Sequence, residues 1–265
     1  MEIFLSSLVA LFVLGVAVEY YLTRNRIENY YDGEETRCTF KMAVAGLALD
    51  LLVKSAALYF LYKLSGFAFF ALGYQWWVWL LCFIAWDFVF YLKHLSEHHV
   101  RFLWAIHVNH HSSKFMNLSV ALRAGVLKSV YRYFFWAPLI LAGFPFFMFL
   151  IIYSLGKCWA YIQHTQLIGR LGFLEKMLIT PSHHRVHHSS APENYNKNLG
   201  ETLLIWDKMF GTFKEVKGEL EYGIDEDIPN NDFLEATFHE MKKIFRDMKA
   251  QSSVKNKLKI LFGKP

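Results

Sequence analysis

Ten of the twelve histidines fall into two short segments of the chain, and their spacing is suited to binding metal. His94 and His98 are four residues apart, and an offset of three or four places side chains on one face of a helix. Residues 107–111 and 184–188 both follow the pattern HxxHH, so each segment again presents three imidazoles on one side. Three such segments converging on one cavity would offer eight nitrogen ligands. These are His94, His98, His107, His110, His111, His184, His187 and His188.

The number of histidines indicates a centre for two metal ions. Imidazole binds zinc, copper, iron and nickel, so the ligand type alone leaves the metal open. A structural zinc takes four ligands and a catalytic zinc takes three, and eight histidines exceed either requirement. Neutral nitrogen ligands leave such a centre strongly cationic, a setting in which iron could bind and activate dioxygen. The pattern therefore favours oxidative chemistry.

The elements that must position these segments are apolar. Of the 265 residues, 54% are hydrophobic and 18% aromatic, and the mean hydropathy is positive, which is unusual for a soluble domain of this length. Three runs, at about residues 3–22, 42–61 and 74–90, are long enough to cross roughly 30 Å of hydrocarbon as helices. We therefore expect an all-α fold, an integral membrane helical bundle with a cytosolic histidine-rich helical cap.

A fourth apolar stretch, at about residues 126–161, is too long for a single span. Pro138, Gly143 and Pro145 interrupt it near its middle. Proline ends a helix, and non-helical backbone at membrane depth is tolerated where protein covers it. This pattern predicts two helices packed as a hairpin, which need not cross the membrane fully.

The remaining segments complete one domain over residues 1–265. The histidine-rich cap is expected at 93–125 and 163–213. The tail at 218–265 combines an amphipathic pattern with a basic end, so we expect it to lie along the protein or the lipid headgroups. No repeat and no low-complexity linker divides the chain.

Loop charges predict the orientation, because lysine and arginine are concentrated in short cytosolic loops. The connection between the first two spans carries four basic residues, whereas the next connection offers only Lys63 and the segment before the first span has none. We therefore expect a multi-pass chain with its N-terminus outside and with its histidine segments and C-terminus in the cytosol. The four basic residues are Arg24, Arg26, Arg37 and Lys41.

Other charged and reactive residues suggest no separate function. The formal charge of +5 does not form a basic patch interleaved with exposed aromatics, so no nucleic-acid partner is expected. Cys38, Cys82 and Cys158 include no CxxC pair, which argues against a disulfide framework or a thiolate metal site. Asp50 and Lys54 lie four residues apart in the second span, and we interpret them as a pair that neutralises its own charge.

The histidine segments and their surroundings resemble the fatty acid hydroxylase and sterol desaturase superfamily of membrane di-iron enzymes. The resemblance rests on HLSEH at 94–98, HVNHH at 107–111 and HRVHH at 184–188, in that order, followed by WDKMFGTF at 206–213. It covers about residues 87–213 strongly. Within the superfamily the chain is most similar to alkylglycerol monooxygenase-like proteins and bacterial sterol desaturase family proteins. One departure is the leucine after His94, where relatives often have arginine.

The resemblance implies an O2-dependent enzyme that hydroxylates or desaturates a lipid, or cleaves an ether, at two iron ions. The lipid would be a fatty acyl, alkylglycerol or sterol-like molecule taken from the bilayer. The chain has no haem-binding or flavin-binding segment, so electrons would come from a separate donor, either a pterin or an electron-transfer protein. The resemblance also suggests His164, at the end of the last apolar run, as a further ligand.

Several other polar residues lie near the histidine segments. His183 directly precedes the HRVHH segment and is either a further ligand or a residue that holds a ligand histidine in place. Asp87 lies two helical turns before His94 and could accept the second N–H of a metal-bound imidazole. Asn117 is assigned to the surroundings of the metal site. Other motif residues are expected to shape the fold, namely Arg123, Asn198, Trp206 and Asp207. For His99 and His239 we favour an ordinary structural role.

Two other classes of protein remain as alternatives. A membrane zinc hydrolase would need fewer histidines and a carboxylate base close to them. Glu97, in HLSEH, is the only acidic residue inside a histidine segment. A histidine-rich metal transporter would place its ligands within the bilayer core, whereas these histidines lie beyond the predicted spans.

Overall fold

The computed structural model describes residues 2–26, 30–224, 228 and 232–265, with side chains from residue 10 onward. That part of the chain is all-helical, as predicted, and two isolated β-bridges are its only extended pairings. Its α-helices are α1 (Glu2–Thr23), α2 (Gly33–Leu64), α3 (Trp76–His99), α4 (Arg101–His111), α5 (Lys128–Tyr131), α6 (Ala137–Leu141), α7 (Phe146–Ile162), α8 (Pro181–His187), α9 (Ile205–Met209), α10 (Phe233–Lys249) and α11 (Val254–Phe262).

Two of the described helices are both long and apolar enough to cross a membrane. They are α2 with the turn that follows it, Gly33–Phe67, and α3, Trp76–His99. The part of α1 whose side chains are described, Ala10–Thr23, and helix α7 are apolar but shorter. Large apolar side chains on α2 such as Leu51 and Leu52 are exposed, and a broad apolar surface of this kind marks contact with lipid or another protein.

The stretch expected to form a helical hairpin has one long arm and one broken arm. Helix α7 is its 17-residue second arm. The first arm consists of α5, a 3₁₀ turn at Phe134–Trp136 and α6, with Pro138 in the first turn of α6, where a proline is tolerated. Gly143 has φ +97° and lies against the carbonyl of Phe70, so the chain can turn there only because no Cβ is present.

Aromatic side chains hold α3 against the two arms. Trp86 of α3 and Trp136 of the first arm stack with ring centroids 6.1 Å apart, and both are fully buried. Met148 and Phe149 of α7 complete the same core cluster. This packing fixes the last turns of α3, which carry the first histidines.

Asp50, in the apolar part of α2, has a different partner from the expected one. Asp50 accepts hydrogen bonds from Arg132, at 2.5 Å, and from Ser129 and Tyr133, at 2.8 and 3.0 Å. The expected pairing with Lys54 was wrong, because the first arm of the hairpin packs on α2 and supplies a guanidinium that the sequence spacing did not reveal.

The C-terminal helices cover α4. Met241 and Ile244 of α10 pack against Ala105 and Ile106 of α4. Asp232 caps α10 by accepting from the N–H groups of Leu234 and Glu235, and this cap fixes the first residue of the helix. The tail is therefore part of the folded body that supports the second histidine segment.

Candidate metal centre

Four elements bring histidines together. Helix α3 carries His94 and His98 in its last two turns, and a single extended residue, Val100, separates α3 from α4. Helix α4 carries the HVNHH segment, and α8 carries the HRVHH segment up to His187, with His188 as its C-cap. His164 follows the C-terminal end of α7. The helical offsets place the histidines of α3, α4 and α8 on faces that meet, and His164 at the end of α7 lies in the same region.

The histidines form two clusters, in each of which the candidate ligand nitrogens lie within 4.8 Å of one another. Cluster 1 comprises His94, His98, His107, His111 and His187, and cluster 2 comprises His110, His164, His184 and His188. The clusters adjoin, because the rings of His111 and His188 stack at 4.6 Å between centroids. All eight residues predicted from spacing are included, and His164 joins them.

Within each cluster the Nε2 atoms face one another. His107 Nε2 lies 3.1 Å from His94 Nε2 and 3.2 Å from His111 Nε2. In cluster 2, His164 Nε2 lies 3.1 Å from His110 Nε2 and 3.0 Å from His184 Nε2. Two nitrogens bound to one ion at about 2.0–2.1 Å would lie about 2.8–3.4 Å apart for angles between 90° and the tetrahedral value. The spacing in both clusters fits a shared metal ion.

Two orphaned nitrogens support the same fit. His98 Nε2 and His187 Nε2 are buried and have no hydrogen-bond partner among the described residues. A buried polar atom without a partner is costly, and a metal ion would satisfy both. The chemistry and spacing of both clusters therefore fit a bound metal ion.

Backbone carbonyls fix the orientation of four imidazoles. The Nδ1 atoms of His94, His110, His164 and His187 lie 2.8, 3.2, 2.8 and 2.9 Å from the carbonyl oxygens of Leu199, Val120, Ala160 and Lys197. A carbonyl can only accept, so each Nδ1 carries the hydrogen and each Nε2 keeps its lone pair. These rings are thus held in the tautomer that a metal requires.

Burial keeps the clustered imidazoles neutral. It lowers the pKa of His107, His110, His111, His184 and His188 well below the usual value. Burial also lowers the pKa of His187 to about 4 and that of His164 to about 3. Since an unprotonated ring is the ligand form, the site is prepared for metal at neutral pH.

Asp87 does not bind a histidine, contrary to the sequence prediction. Its carboxylate accepts from the N–H groups of Thr202 and Leu203, both at 3.0 Å, and from the indole of Trp206 at 2.9 Å. It therefore holds the loop that follows Leu199, and the carbonyl of Leu199 receives the N–H of His94. The loop, rather than the ring of His94, supplies the donors that satisfy this buried carboxylate.

Asp207 and Asn117 also act through the backbone. Asp207 accepts from the N–H groups of Leu199 and Gly200, at 2.7 and 2.8 Å. Asn117 accepts from Ser119 at 3.0 Å and donates to the carbonyl of Tyr30, which fixes the turn containing Val120. Both residues thereby place a carbonyl that receives an imidazole N–H.

His183 lies outside both clusters. Its ring belongs to the capping box of α8 with Thr180, and its Nε2 lies 3.4 Å from a carboxylate oxygen of Glu175. His99 and His239 bond to backbone carbonyls, of Leu95 and Ala236 respectively, as ordinary helical histidines do. Sequence reasoning missed Asn196, whose amide oxygen lies 3.1 Å from His98 Nδ1. Its backbone has φ +57°, a conformation that no sequence pattern reveals.

Two cavities reach the histidines. One, of about 160 Å³, touches both clusters and is also lined by Phe12 of α1 and Tyr161 of α7. The other, of about 460 Å³, reaches cluster 1 from the side of Trp104 and Lys264. The smaller cavity therefore reaches the histidines from the side of the apolar helices, and the larger cavity reaches them from the side of the C-terminal tail.

Comparisons with known proteins agree with this geometry. The fatty acid hydroxylase family model matches residues 79–212, just over half of the chain. Alkylglycerol monooxygenase from Homo sapiens is 36% identical over 189 residues, which are 71% of this chain and 42% of that protein. Ornithine lipid hydroxylase OlsE from Rhizobium tropici is 32% identical over 128 residues, 48% of this chain and 39% of that protein. No solved structure matches.

The chain thus spans less than half the length of these curated relatives. The residues that build the site are nevertheless inside the shared region. Because both histidine clusters lie entirely within the residues that match, the chain belongs to the fatty acid hydroxylase family.

Proposed function

We propose that the chain is a membrane-bound, non-haem di-iron enzyme that uses dioxygen to hydroxylate or desaturate a C–H bond of a lipid. The observation that carries this is the pair of adjoining, all-nitrogen clusters. One iron would be held by His94, His98, His107, His111 and His187, and the other by His110, His164, His184 and His188. His183 is left out of the ligand set because its ring binds Thr180 and Glu175.

Iron suits these clusters better than zinc does. Five nitrogens in cluster 1 exceed the four ligands of a structural zinc and the three of a catalytic one. A zinc hydrolase would also need a free carboxylate base. Glu97 already accepts from Lys93 at 2.7 Å and from Tyr131 at 2.6 Å, and Glu201, the other carboxylate lining the smaller cavity, accepts from Lys157 at 2.8 Å. A transporter is disfavoured because the ligands lie at helix ends and in the cap, and their Nδ1 atoms are fixed by carbonyls.

The lipid substrate follows from the family and the surroundings of the site. The two relatives above are named for alkylglycerol and ornithine lipid, and both are amphiphiles with long alkyl chains. In this chain, Phe12 of α1 and Tyr161 of α7 line the smaller cavity, with stacked rings whose centroids are 4.2 Å apart. We infer that an alkyl or acyl lipid enters from the bilayer past these rings.

The protein's own residues hold and shelter the reaction. The carbonyls of Leu199, Val120, Ala160 and Lys197 keep the imidazole lone pairs directed into the clusters. Iron bound there would supply the activation of dioxygen and the removal of hydrogen from a C–H bond. Hydroxylation consumes one dioxygen, two electrons and two protons and yields an alcohol and water; desaturation with the same input yields an alkene and two waters. The electrons would come from a pterin or a separate electron-transfer protein.

Isotope labelling tests this proposal. Membranes carrying the protein are supplied with iron, a reductant, an alkylglycerol or acyl lipid and ¹⁸O-labelled dioxygen, and the products are weighed by mass spectrometry. We expect label in the new hydroxyl, or an unlabelled alkene, and neither product from His184→Ala. A hydrolase would take its oxygen from metal-bound water. Turnover that continues without dioxygen would refute the proposal.

A further inference from the structure

Helix α11 has an apolar face that is exposed. Its side chains Val254, Leu258 and Phe262 are 71%, 49% and 61% exposed. They recur at every fourth residue, and this offset keeps side chains on one face of a helix, so they form a continuous patch that we call the α11 stripe. The other face of α11 points inward, where Leu261 packs against the cluster formed by α4 and α10. An exposed apolar patch on a folded protein marks contact with lipid or with another protein.

Basic residues border the α11 stripe. Residues 248–265 contain five lysines and no acidic residue. Lys255 and Lys259 each follow a residue of the stripe and are exposed. A helix with an apolar stripe bordered by lysines is typical of a segment that lies in the plane of a membrane surface, where the lysines reach the headgroup phosphates. The charge therefore favours an anionic lipid surface as the occupant over an apolar or basic protein partner.

The start of α10 marks the level at which the C-terminal tail meets the membrane. Ala236 of α10 packs in one cluster with Met42 of α2. Met42 begins the apolar stretch of α2, and the residues before it include the basic Arg37 and Lys41. Because basic residues flank the cytosolic ends of membrane spans, α10 begins at the boundary between the headgroups and the hydrocarbon.

Helix α11 lies near the same level. Leu261 of α11 and Tyr131 of α5 pack against the same cluster. Ser129, also on α5, donates to Asp50 of α2 at 2.8 Å. Asp50 follows Met42 by eight residues, which is about 12 Å along a helix. These contacts place α11 beside the first turns of the apolar stretch, and interfacial helices bury their apolar face about 5–10 Å into the boundary between headgroups and acyl chains.

We propose that α11 lies in the cytosolic surface of the membrane and binds anionic phospholipid. The α11 stripe enters the boundary of the acyl chains, and Lys255 and Lys259 contact the headgroup phosphates. This inference uses the membrane location in the proposed function and is independent of its oxygen chemistry.

The same helix is connected to the metal centre. The carbonyl of Gly263 accepts the N–H of Arg101, the first residue of α4, at 2.8 Å. Helix α4 carries three of the clustered histidines, and Lys264 lines the larger cavity, which reaches His111. A tail that is bound to the membrane surface therefore fixes one wall of this cavity and the start of α4.

Fluorescence quenching by lipid tests the inference without any turnover. A fluorescent amino acid replaces Leu258, and the protein is placed in nanodiscs of phosphatidylcholine with or without phosphatidylglycerol. The acyl chains carry bromine, which quenches a fluorophore in contact with them and spares one in water. We expect strong quenching in the anionic nanodiscs and weak quenching in phosphatidylcholine alone.

Lysine variants test the role of charge. With Lys255→Gln and Lys259→Gln together, quenching in the anionic nanodiscs should fall to the level in phosphatidylcholine alone, because each lysine near such a surface contributes about fivefold to binding. Lys217→Gln is the matched control. It removes an exposed lysine from a segment that also carries Glu215 and Glu219, and it should leave quenching unchanged. Equal quenching in both lipid compositions would overturn the role of anionic lipid. Quenching in neither would overturn the membrane contact and would leave the stripe to a protein partner.

The amide of Arg101 provides a second readout that does not depend on the fluorophore. In hydrogen-exchange measurements on the native protein, this amide should exchange several-fold more slowly in the anionic nanodiscs, because the bound tail holds Gly263 in place. The double lysine variant should exchange at the same rate in both lipid compositions. A rate that does not depend on the lipid in the native protein would overturn the link between α11 and α4.

Iron content keeps this inference separate from the proposed function. The double lysine variant retains every histidine of both clusters, so it should bind as much iron as the native protein. A native protein that binds no iron would refute the proposed function, and the quenching result would still decide where α11 lies.

Discussion

His110 and His111 are neighbours in the chain, yet their imidazoles belong to different clusters. His110 Nε2 faces His164 at 3.1 Å, whereas His111 Nε2 faces His107 at 3.2 Å. If each cluster holds one iron, removing either ring weakens a different ion. We expect His110→Ala and His111→Ala each to reduce bound iron from about two per chain towards one, and to abolish activity, because ligands of one ion act as a unit. Metal analysis of the purified protein measures this.

A histidine outside the clusters provides the control for this experiment. His239 bonds to a carbonyl of its own helix, and His239→Ala should retain both ions and activity. Loss of the same amount of iron in all three variants would mean that substitution disturbs the fold generally. Full activity in either cluster variant would contradict the ligand assignment.

Asp207 should govern iron affinity without touching a histidine ring. Its carboxylate holds the N–H groups of Leu199 and Gly200, and the carbonyl of Leu199 holds His94. Asp207→Ala should lower the free energy of unfolding by about 3 kcal/mol, since hydrogen bonds to a charged group contribute roughly 1.5–3 kcal/mol each. It should also weaken iron binding about tenfold, as loss of such a supporting partner does. Chelator competition measures the affinity.

Asp232 is a matched control, because it too accepts from two backbone N–H groups, at the start of α10. Asp232→Ala should cost about 1 kcal/mol, the usual value for a helix cap, with iron affinity unchanged. Weaker iron binding in Asp232→Ala, or unchanged binding in Asp207→Ala, would show that the carbonyl of Leu199 does not set the site.

The metal-free protein should lose stability as pH falls. The pKa of His187 is lowered to about 4 and that of His164 to about 3, whereas both are about 6.5 in an unfolded chain. Below pH 6.5 the unfolded state therefore binds protons that the folded state does not, and each such histidine costs up to about 1.4 kcal/mol per pH unit. This loss continues down to about pH 4 for His187 and is absent above pH 6.5.

Thermal unfolding of the chelator-treated protein at pH 7.5, 6.5 and 5.5 measures this dependence. We expect Tm to change little between the first two values and to drop clearly at the third. His187→Gln removes one titrating group, so its Tm should depend less steeply on pH. A Tm that is constant or rises between pH 6.5 and 5.5 would show that the histidines are not buried in the neutral form.

The sequence predicted which histidines cluster better than it predicted the groups that orient them. Helical offsets place His94 with His98 and group the two HxxHH segments, because side-chain direction follows from the helix alone. His164 needed family resemblance, since a single histidine has no spacing. The carbonyls of Leu199 and Lys197 could not be predicted, because every residue carries one and only the fold of the loop selects which is used. The hydrogen-bond partners of Asp87 could not be predicted for the same reason, because they lie more than a hundred residues away in the chain.

The broken arm of the hairpin shows the corresponding limit for helices. The apolar stretch predicted a helical hairpin, and its first arm packs into the core at the fully buried Ile140 while Val130 and Phe134 are exposed. Composition does not reveal where a chain will bend, and Pro138 starts a new short helix here instead of ending a long one. The partner of Asp50 could not be predicted either, because Arg132 lies 82 residues further along the chain and only the packing of the first arm on α2 brings the two together.

The two ends of the chain should lie on opposite sides of the membrane. The C-terminal half of α1 faces the histidine side, where Glu19 accepts a hydrogen bond from Leu118 at 2.7 Å, so the start of α1 points away from it. Pro265 lines the cavity that reaches His98, which puts the other end on the histidine side.

The hairpin supports this arrangement, because its turn reaches the opposite end of the bundle. The N–H of Phe69, in the connection between α2 and α3, donates to the carbonyl of Leu141 at 2.7 Å. The turn of the hairpin therefore lies beside this connection, at the end of the bundle opposite the histidines, and α7 leads back from it to His164. We expect a tag at the N-terminus and one inserted at residues 68–74 to report outside, and a tag after Pro265 to report the cytosol, as the loop charges indicate. Accessibility of each tag to a membrane-impermeant reagent, in intact and in opened cells, measures this. Finding the N-terminal and C-terminal tags on the same side would require an even number of crossings and would contradict the topology.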